Sequence, residues 1–534
     1  MSNRAAVSLA LICSLAMVGC SSKQEQVTAP AAYDVEEVPL AQISADLAAG
    51  KTTAVAVTQA YIDRIKKYDG PLHAVIAVAP DALEQAAASD ARRKDGKTLG
   101  PMDGIPVMFK DNIGAVGMPN TAGSFALEHN VPTQDAELVR RLRAGGAIIL
   151  GKLNTSQFAG LRAMATFNGS TVGGVAHNPY DLAKSPAGSS SGSGIAAATS
   201  FAAATVGTDT TGSVVGPSSV NGLVGMRPTV GLISRTGIVP LSMTMDTAGP
   251  LARNVTDFAM MLTIMAGSDP SDPATAEADA HKSDYTKALD PNALQGQKLG
   301  VFRNTRAYDE HTKVLLDEAI AVMKAHGAEV IELPADILED MSPETLGIMS
   351  YEFKEDIAAY LTSAPPSQKA RTLADIIAAH AADPREGIVD QGALELSESR
   401  NGRADPEYRK MLEYAKRRAG PEGYGRAFTE FGVSAVIGIN SGPAGVLVPN
   451  GTVTERSSNR ASPKGTSPPS MSGNAAIAGY PNMSVPMGLV EGMPVGLSLT
   501  GPAWSEAKLV GIAYAYEQAS RKRVPPAAYK MVGE

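Results

Sequence analysis

The chain has 534 residues, 44% of them hydrophobic, with 47 basic against 55 acidic side chains and a net charge of −8. That is enough length and apolar content for a large buried core, and a mildly acidic balance argues against a nucleic-acid partner. With Cys13 and Cys20 as the whole cysteine complement, a disulfide framework is excluded, and no span beyond the N-terminus is long and apolar enough for a membrane helix.

Arg4 followed by the apolar residues 5–19 predicts a secretory signal, too short to cross a bilayer comfortably. It runs into Met17-Val18-Gly19-Cys20, which resembles a bacterial lipoprotein cleavage box, so Cys20 is expected to become a lipid-bearing N-terminus. The expected location is then the bacterial cell envelope, with membrane contact only through that lipid; an uncleaved or simply secreted N-terminus is the alternative. Residues 20–37, polar and containing Pro30, read as a flexible tether. No internal repeat or long low-complexity linker interrupts residues 38–534, which read as one catalytic domain.

Residues 55–67 carry apolar side chains at helical spacing. The run G-I-P-V-M-F-K-D-N (104–112) reads as a strand ending on Lys110, where a charged side chain is costly to bury. If the strand continues, Asp111 points to the opposite face and need not pair with Lys110. G-A-I-I-L-G-K (146–152) resembles a phosphate-binding loop, but Leu153 stands where a Mg²⁺-holding hydroxyl is required. It is expected to be an apolar strand ending at Gly151.

Residues 185–213 run S-P-A-G-S-S-S-G-S-G, then an apolar stretch, then G-T-D-T-T-G-S, so two serine-bearing glycine turns flank a short helix-to-strand unit. A glycine-serine run alone is usually a linker. This one feeds straight into apolar sequence that demands burial. Gly188 to Gly192 also fits the nucleophile elbow of α/β-hydrolases, but no strand precedes it. Serines and a buried lysine together suggest a Ser-Lys nucleophilic site. A lysine can act as base only when neutral, which near pH 7 requires a fall of roughly 3 units from about 10.4; burial among Val107, Met108 and Phe109 can supply it. The turn Thr210-Thr211-Gly212 is expected to offer backbone N–H groups as an oxyanion hole.

Further along, apolar runs at 298–302, 433–439, 483–486 and 496–499 alternate with helical patterns at 314–325 and 508–518, which argues for α/β layering around a central sheet. Residues 383–405, charged and poorly periodic, read as a surface excursion near the substrate mouth. Ser505-Glu506-Ala507-Lys508 matches S-x-x-K, but Ser505 is better read as a helix N-cap. The seven histidines (His73, His129, His177, His281, His311, His326, His380) have no metal-ligand spacing, so neither metal nor organic cofactor is expected. A Ser-His-Asp arrangement would have His177 nearest in sequence.

These three motifs together resemble the amidase signature family of serine amidohydrolases, whose catalytic group is a Ser-Ser-Lys triad with one serine in a cis peptide. The resemblance implies that Ser213 is the acyl-forming nucleophile, Ser189 the bridging serine and Lys110 the terminal base. It continues through residues 225–231, 246–250, 479–481 and 494–497, and so covers about residues 40–525. It implies an α/β amidase signature fold, a central mixed β-sheet surrounded by helices, and an acyl-enzyme route that cleaves a carboxamide to release ammonia or an amine. Val215 stands where many members have arginine, making a carboxylate-bearing or glutamine-transferring role less attractive. Residues 230–235, 503–505 and 513–518 are most similar to peptide amidases, which act on C-terminal peptide amides. Ala187 replaces a usual glycine, and I-N-S-G-P (439–443) replaces a usual Pro-Thr pair. Aryl and fatty acyl amides stay open as substrates, as does a catalytically inactive envelope scaffold lipoprotein that keeps the fold.

Overall fold

The computed structural model describes residues 33–532, apart from 163–168, 304–307, 388, 440 and 448–467. The expected signal, Cys20 and tether residues 20–32 lie outside the described residues. The strands are β1 (Val75–Val78), β2 (Pro106–Lys110), β3 (Ile148–Leu153), β4 (Gly169–Ser170), β5 (Gly174–Val175), β6 (Ala204–Asp209), β7 (Val224–Arg227), β8 (Thr247–Ala252), β9 (Lys298–Val301), β10 (Glu329–Glu332), β11 (Ala435–Ile439), β12 (Asn482–Val490) and β13 (Met493–Thr500). Among the described residues β4 and β5 form a small ribbon, and the others form one eleven-stranded mixed sheet in the order β1-β3-β2-β6-β8-β7-β12-β13-β11-β9-β10. Helices cover it, giving the mixed α/β architecture expected from the sequence.

The strands at the heart of the site, β3, β2 and β6, are mutually parallel. Parallel strands are covered on both faces, which explains why these read as continuous apolar runs and why every residue of β2, β3 and β6 is buried. Ligands bind beyond the carboxyl ends of such strands. Lys110 ends β2 and Asp209 ends β6, so both reach that edge.

The serine-glycine run forms the helix Ser191–Ala198, every residue of it buried. A Cβ at Gly192 would fall 2.4 Å from the Ala74 carbonyl oxygen and 2.5 Å from the Asn154 nitrogen, so glycine is what lets this helix seat against its neighbours. The Thr205 hydroxyl donates to the Ser193 carbonyl at 2.9 Å, locking helix to strand. This is a packed connection rather than a linker.

Between β10 and β11 a helical insertion, including Ser342–Leu361, Leu373–Ala382, Gly392–Ser399 and Pro406–Ala419, builds a second apolar cluster with Phe158, Leu161, Val239 and Met245 of the main body. Four expectations need correction here. Residues 383–405 are not only a surface excursion: they contain the helix Gly392–Ser399, and Glu386 is fully buried. Tyr33 to Glu37 belong to the compact body rather than to a tether, with Val35 buried and Glu36 paired to Arg64. β3 continues past Gly151 to Leu153, because Lys152 finds a buried partner in Asp111 at 3.3 Å. Ser505 stands at the head of helix Glu506–Ser520, yet its hydroxyl donates backwards to the Pro502 carbonyl at 2.6 Å and does not cap the helix.

Candidate active site

The Lys110 side chain has no solvent exposure and lies among neutral oxygens. Its amine donates to Ser189 Oγ at 2.8 Å, to Thr208 Oγ1 at 2.7 Å and to the Thr208 carbonyl at 3.3 Å. Burial drives its pKa down from 10.5 to about 7, against the pull of Asp209 and Asp246, which favour the charged form. A neutral amine has two N–H bonds, which Thr208 can absorb, and one lone pair, which then faces the Ser189 hydroxyl. Asp111 turns away, as strand alternation requires, and is held by Lys152, by Thr121 and by the Gly123 N–H.

Ser189 is buried and follows a cis Gly188–Ser189 peptide. Ala187, just upstream, has φ 58°, the left-handed conformation that a glycine adopts more readily. The Ser190 N–H donates to the Ser213 carbonyl at 3.2 Å, which lays the two serine turns side by side. Ser213 is half-buried, and among the described residues its hydroxyl makes no hydrogen bond. Lys110 and Ser189 are thus directly bonded, while Ser213 is joined to them through main chain.

The turn after β6 is built by two carboxylates. Asp209 Oδ1 accepts the Gly212 N–H at 2.8 Å, and Asp209 Oδ2 accepts the Val214 N–H at 2.7 Å. Arg227, fully buried, donates to Asp209 at 2.8 Å and to the Thr210 carbonyl at 3.1 Å. On the other side the Thr210 hydroxyl donates to Asp246 at 2.6 Å. Burial raises the Asp246 carboxyl to about 6 even though Thr210, Leu241 and Ser242 donate to it. The three N–H groups expected to form an oxyanion hole differ in their occupancy. The Gly212 N–H is already committed to Asp209, whereas the Thr210 and Thr211 N–H groups take no partner among the described residues.

A cleft of about 50 Å³ opens at Thr211 and is walled by Met341, Thr345, Leu346 and Met349 of the insertion and by Ser470 and Asn474. Val215 is buried in the short helix Val215–Val220 rather than in this cleft wall. His177 bonds the Leu182 carbonyl through Nδ1 at 2.7 Å, and no hydrogen bond joins it to either serine turn among the described residues.

Asp209, Arg227, Thr208 and Asp246 were not singled out from sequence. Asp209 carried a local signal, an aspartate just before a T-T-G turn, where its side chain can hold downstream N–H groups. Arg227 and Asp246 meet the turn only in three dimensions.

Comparison with known proteins gives a consistent set of relatives. The family model described as Amidase matches residues 56–510. A probable amidase of Arabidopsis thaliana is 33% identical over 97% of this chain and 96% of its own length. One component of the glutamyl-tRNA(Gln) amidotransferase of Thermoanaerobacter pseudethanolicus is 33% identical over 90% of this chain and 95% of its own. Among solved structures, the native peptide amidase from Stenotrophomonas maltophilia superposes with a TM-score of 0.84 at 40% identity, covering 92% of this chain and 98% of that one.

Proposed function

The chain belongs to the amidase family and is an amide-hydrolysing enzyme, and from that premise we propose that it removes the amide nitrogen from C-terminal peptide amides through an acyl-enzyme at Ser213. One observation carries the mechanism: an amine sealed from water and brought to about 7 lies 2.8 Å from the Ser189 hydroxyl. In the proposed sequence Ser213 Oγ bonds to the substrate carbonyl carbon. Its proton passes to Ser189 Oγ as the Ser189 proton passes to the lone pair of Lys110. The negative oxygen is received by the Thr210 and Thr211 N–H groups. The lysine then returns its proton through Ser189 to the departing nitrogen as the C–N bond breaks, and water repeats the route to free the acid.

The peptide amide is favoured over aryl and fatty acyl amides by the 40% identity to a peptide amidase over nearly the whole chain. We also carry forward the reading that Cys20 bears lipid and holds the enzyme at the bacterial envelope. Ammonia release from peptide amides, with labelling by a fluorophosphonate, tests the activity. Ser213→Ala abolishes both in a folded protein; labelling that survives Ser213→Ala overturns the nucleophile, and a wild type inert to every amide favours the scaffold alternative.

A further inference from the structure

The helical insertion sends several buried carboxylates to the main body, Glu352 and Asp356 to the loop 242–244 and Glu386 to the loops that carry Ser124, Gln157 and Thr171. Glu386 Oε1 accepts the Phe125 N–H at 2.7 Å, the Thr171 hydroxyl at 2.9 Å and the Ser124 hydroxyl at 3.1 Å. Glu386 Oε2 accepts Gln157 Nε2 at 3.0 Å and pairs with Arg162, and both residues of this ion pair are almost completely buried. Arg162 also donates to the main-chain carbonyls of Glu386 and Val389, each at 2.8 Å. Burial alone would raise the carboxyl, but donation from Gln157 and its other partners holds it below the usual glutamate range. A surface loop has no need of such a buried, fully bonded charge.

What the carboxylate grips lies one residue from the chemistry. The Gln157 amide is held at both ends, with Oε1 taking Arg162 Nη1 at 3.0 Å and Nε2 also donating to the Gly123 carbonyl at 2.9 Å. The next residues, Phe158 and Ala159, have φ of 46° and 55°, a left-handed conformation that non-glycine residues keep only when their surroundings enforce it. Immediately before Gln157, the Ser156 N–H donates to the Ser189 carbonyl at 3.0 Å, and the Gly192 N–H donates to the Asn154 carbonyl at 3.0 Å. The segment 154–157 is therefore laced to the serine turn at two points.

We propose that Glu386 is a positioning residue: with Arg162 it fixes the Gln157 turn, and that turn fixes the Ser189 hydroxyl against Lys110. The inference rests on the relay reading of Ser189. It makes the insertion, which also walls the cleft at Thr211, a structural part of the proton path.

The test must separate positioning from stability, because Glu386→Gln alone strands a buried guanidinium and lowers the melting temperature. The double variant Glu386→Gln/Arg162→Met removes both charges and is expected to recover most of that loss. Its fluorophosphonate labelling rate and its kcat on a peptide amide are expected to stay at least tenfold below wild type, with KM within about twofold. A double variant that melts like wild type and labels within twofold of it overturns the proposal while the relay stands. If Ser189→Ala itself labels at the wild-type rate, the relay reading falls and the proposal falls with it.

Discussion

Replacing Lys110 by methionine should destroy activity and stabilise the protein, and the size of the second effect follows from the site. In the unfolded chain the amine has its ordinary value of 10.5, and in the fold it has about 7. At pH 7 the unfolded state is protonated and the folded state only half so, and this difference costs the wild type about 4 kcal/mol at ~1.36 kcal/mol per pH unit. Methionine does not pay it. Against that gain stand the lost hydrogen bonds. Thr208 Oγ1 keeps Asn112 as a donor at 3.0 Å and the Thr208 carbonyl keeps Ser190 at 3.0 Å, so Ser189 Oγ is the group left short, at about 1–3 kcal/mol. The net expectation is a variant more stable by about 1–3 kcal/mol at pH 7, read from urea unfolding. The sign also fixes the pH trend. Because the unfolded state binds more protons between pH 7 and 10.5, the wild type gains stability as pH rises through that window. Its deficit should shrink by about 2 kcal/mol between pH 7 and pH 9. A Lys110→Met protein that is less stable than wild type by the same amount at both pH values would mean a charged, well-satisfied lysine, and would refute the base.

Fluorophosphonate labelling of the wild type is expected to reach half its maximum near pH 7 and to fall about tenfold per pH unit below it; a rate still climbing above pH 9 contradicts a lysine at about 7. Arg227→Met leaves the Asp209 carboxylate buried without its partner, so a loss of about 3–5 kcal/mol in urea unfolding and of labelling is expected, and a loss below about 1 kcal/mol argues that the pair does not build the turn. Gly192→Ala drives a methyl against the Ala74 carbonyl and should cost at least about 1–3 kcal/mol; unchanged stability contradicts the close seating of that helix. Cys20→Ser should abolish incorporation of labelled palmitate in a bacterial host, and incorporation that persists rejects Cys20 as the acceptor.

The parts legible in the sequence are those where local pattern and burial speak together. Lys110 was visible because a charge closes an apolar run that becomes a fully buried parallel strand. The serine turns were visible because apolar residues follow the first and a glycine turn frames the second. What stayed hidden depends on distance along the chain. Arg227 meets Asp209 from 18 residues away, Thr210 finds Asp246 across 36, and Glu386 reaches Ser124 across 262. No periodicity encodes such pairs. The Gly212 N–H is a different case, because its competitor Asp209 stands three residues upstream, where an aspartate commonly folds back on a turn.

The two buried lysines on adjacent strands meet different surroundings, which bears on the proposal that one of them is a base. In the parallel register of β2 and β3, Lys110 lies beside Leu153 and Lys152 beside Phe109, so the two side chains leave opposite faces of the sheet. On one face Lys152 finds Asp111 at 3.3 Å together with the Ile113 carbonyl and Asn120; burial lowers its pKa, and the Asp111 carboxylate in contact works against that shift. On the other face the Lys110 amine hydrogen-bonds, among the described residues, only to the hydroxyls of Ser189 and Thr208 and one carbonyl, with the Asp209 and Asp246 carboxylates acting on it without a hydrogen bond. Both amines are desolvated and both are shifted down by it, so burial alone does not distinguish them. The difference is the carboxylate in contact, and a single step of strand alternation at Asp111 decides which lysine receives it.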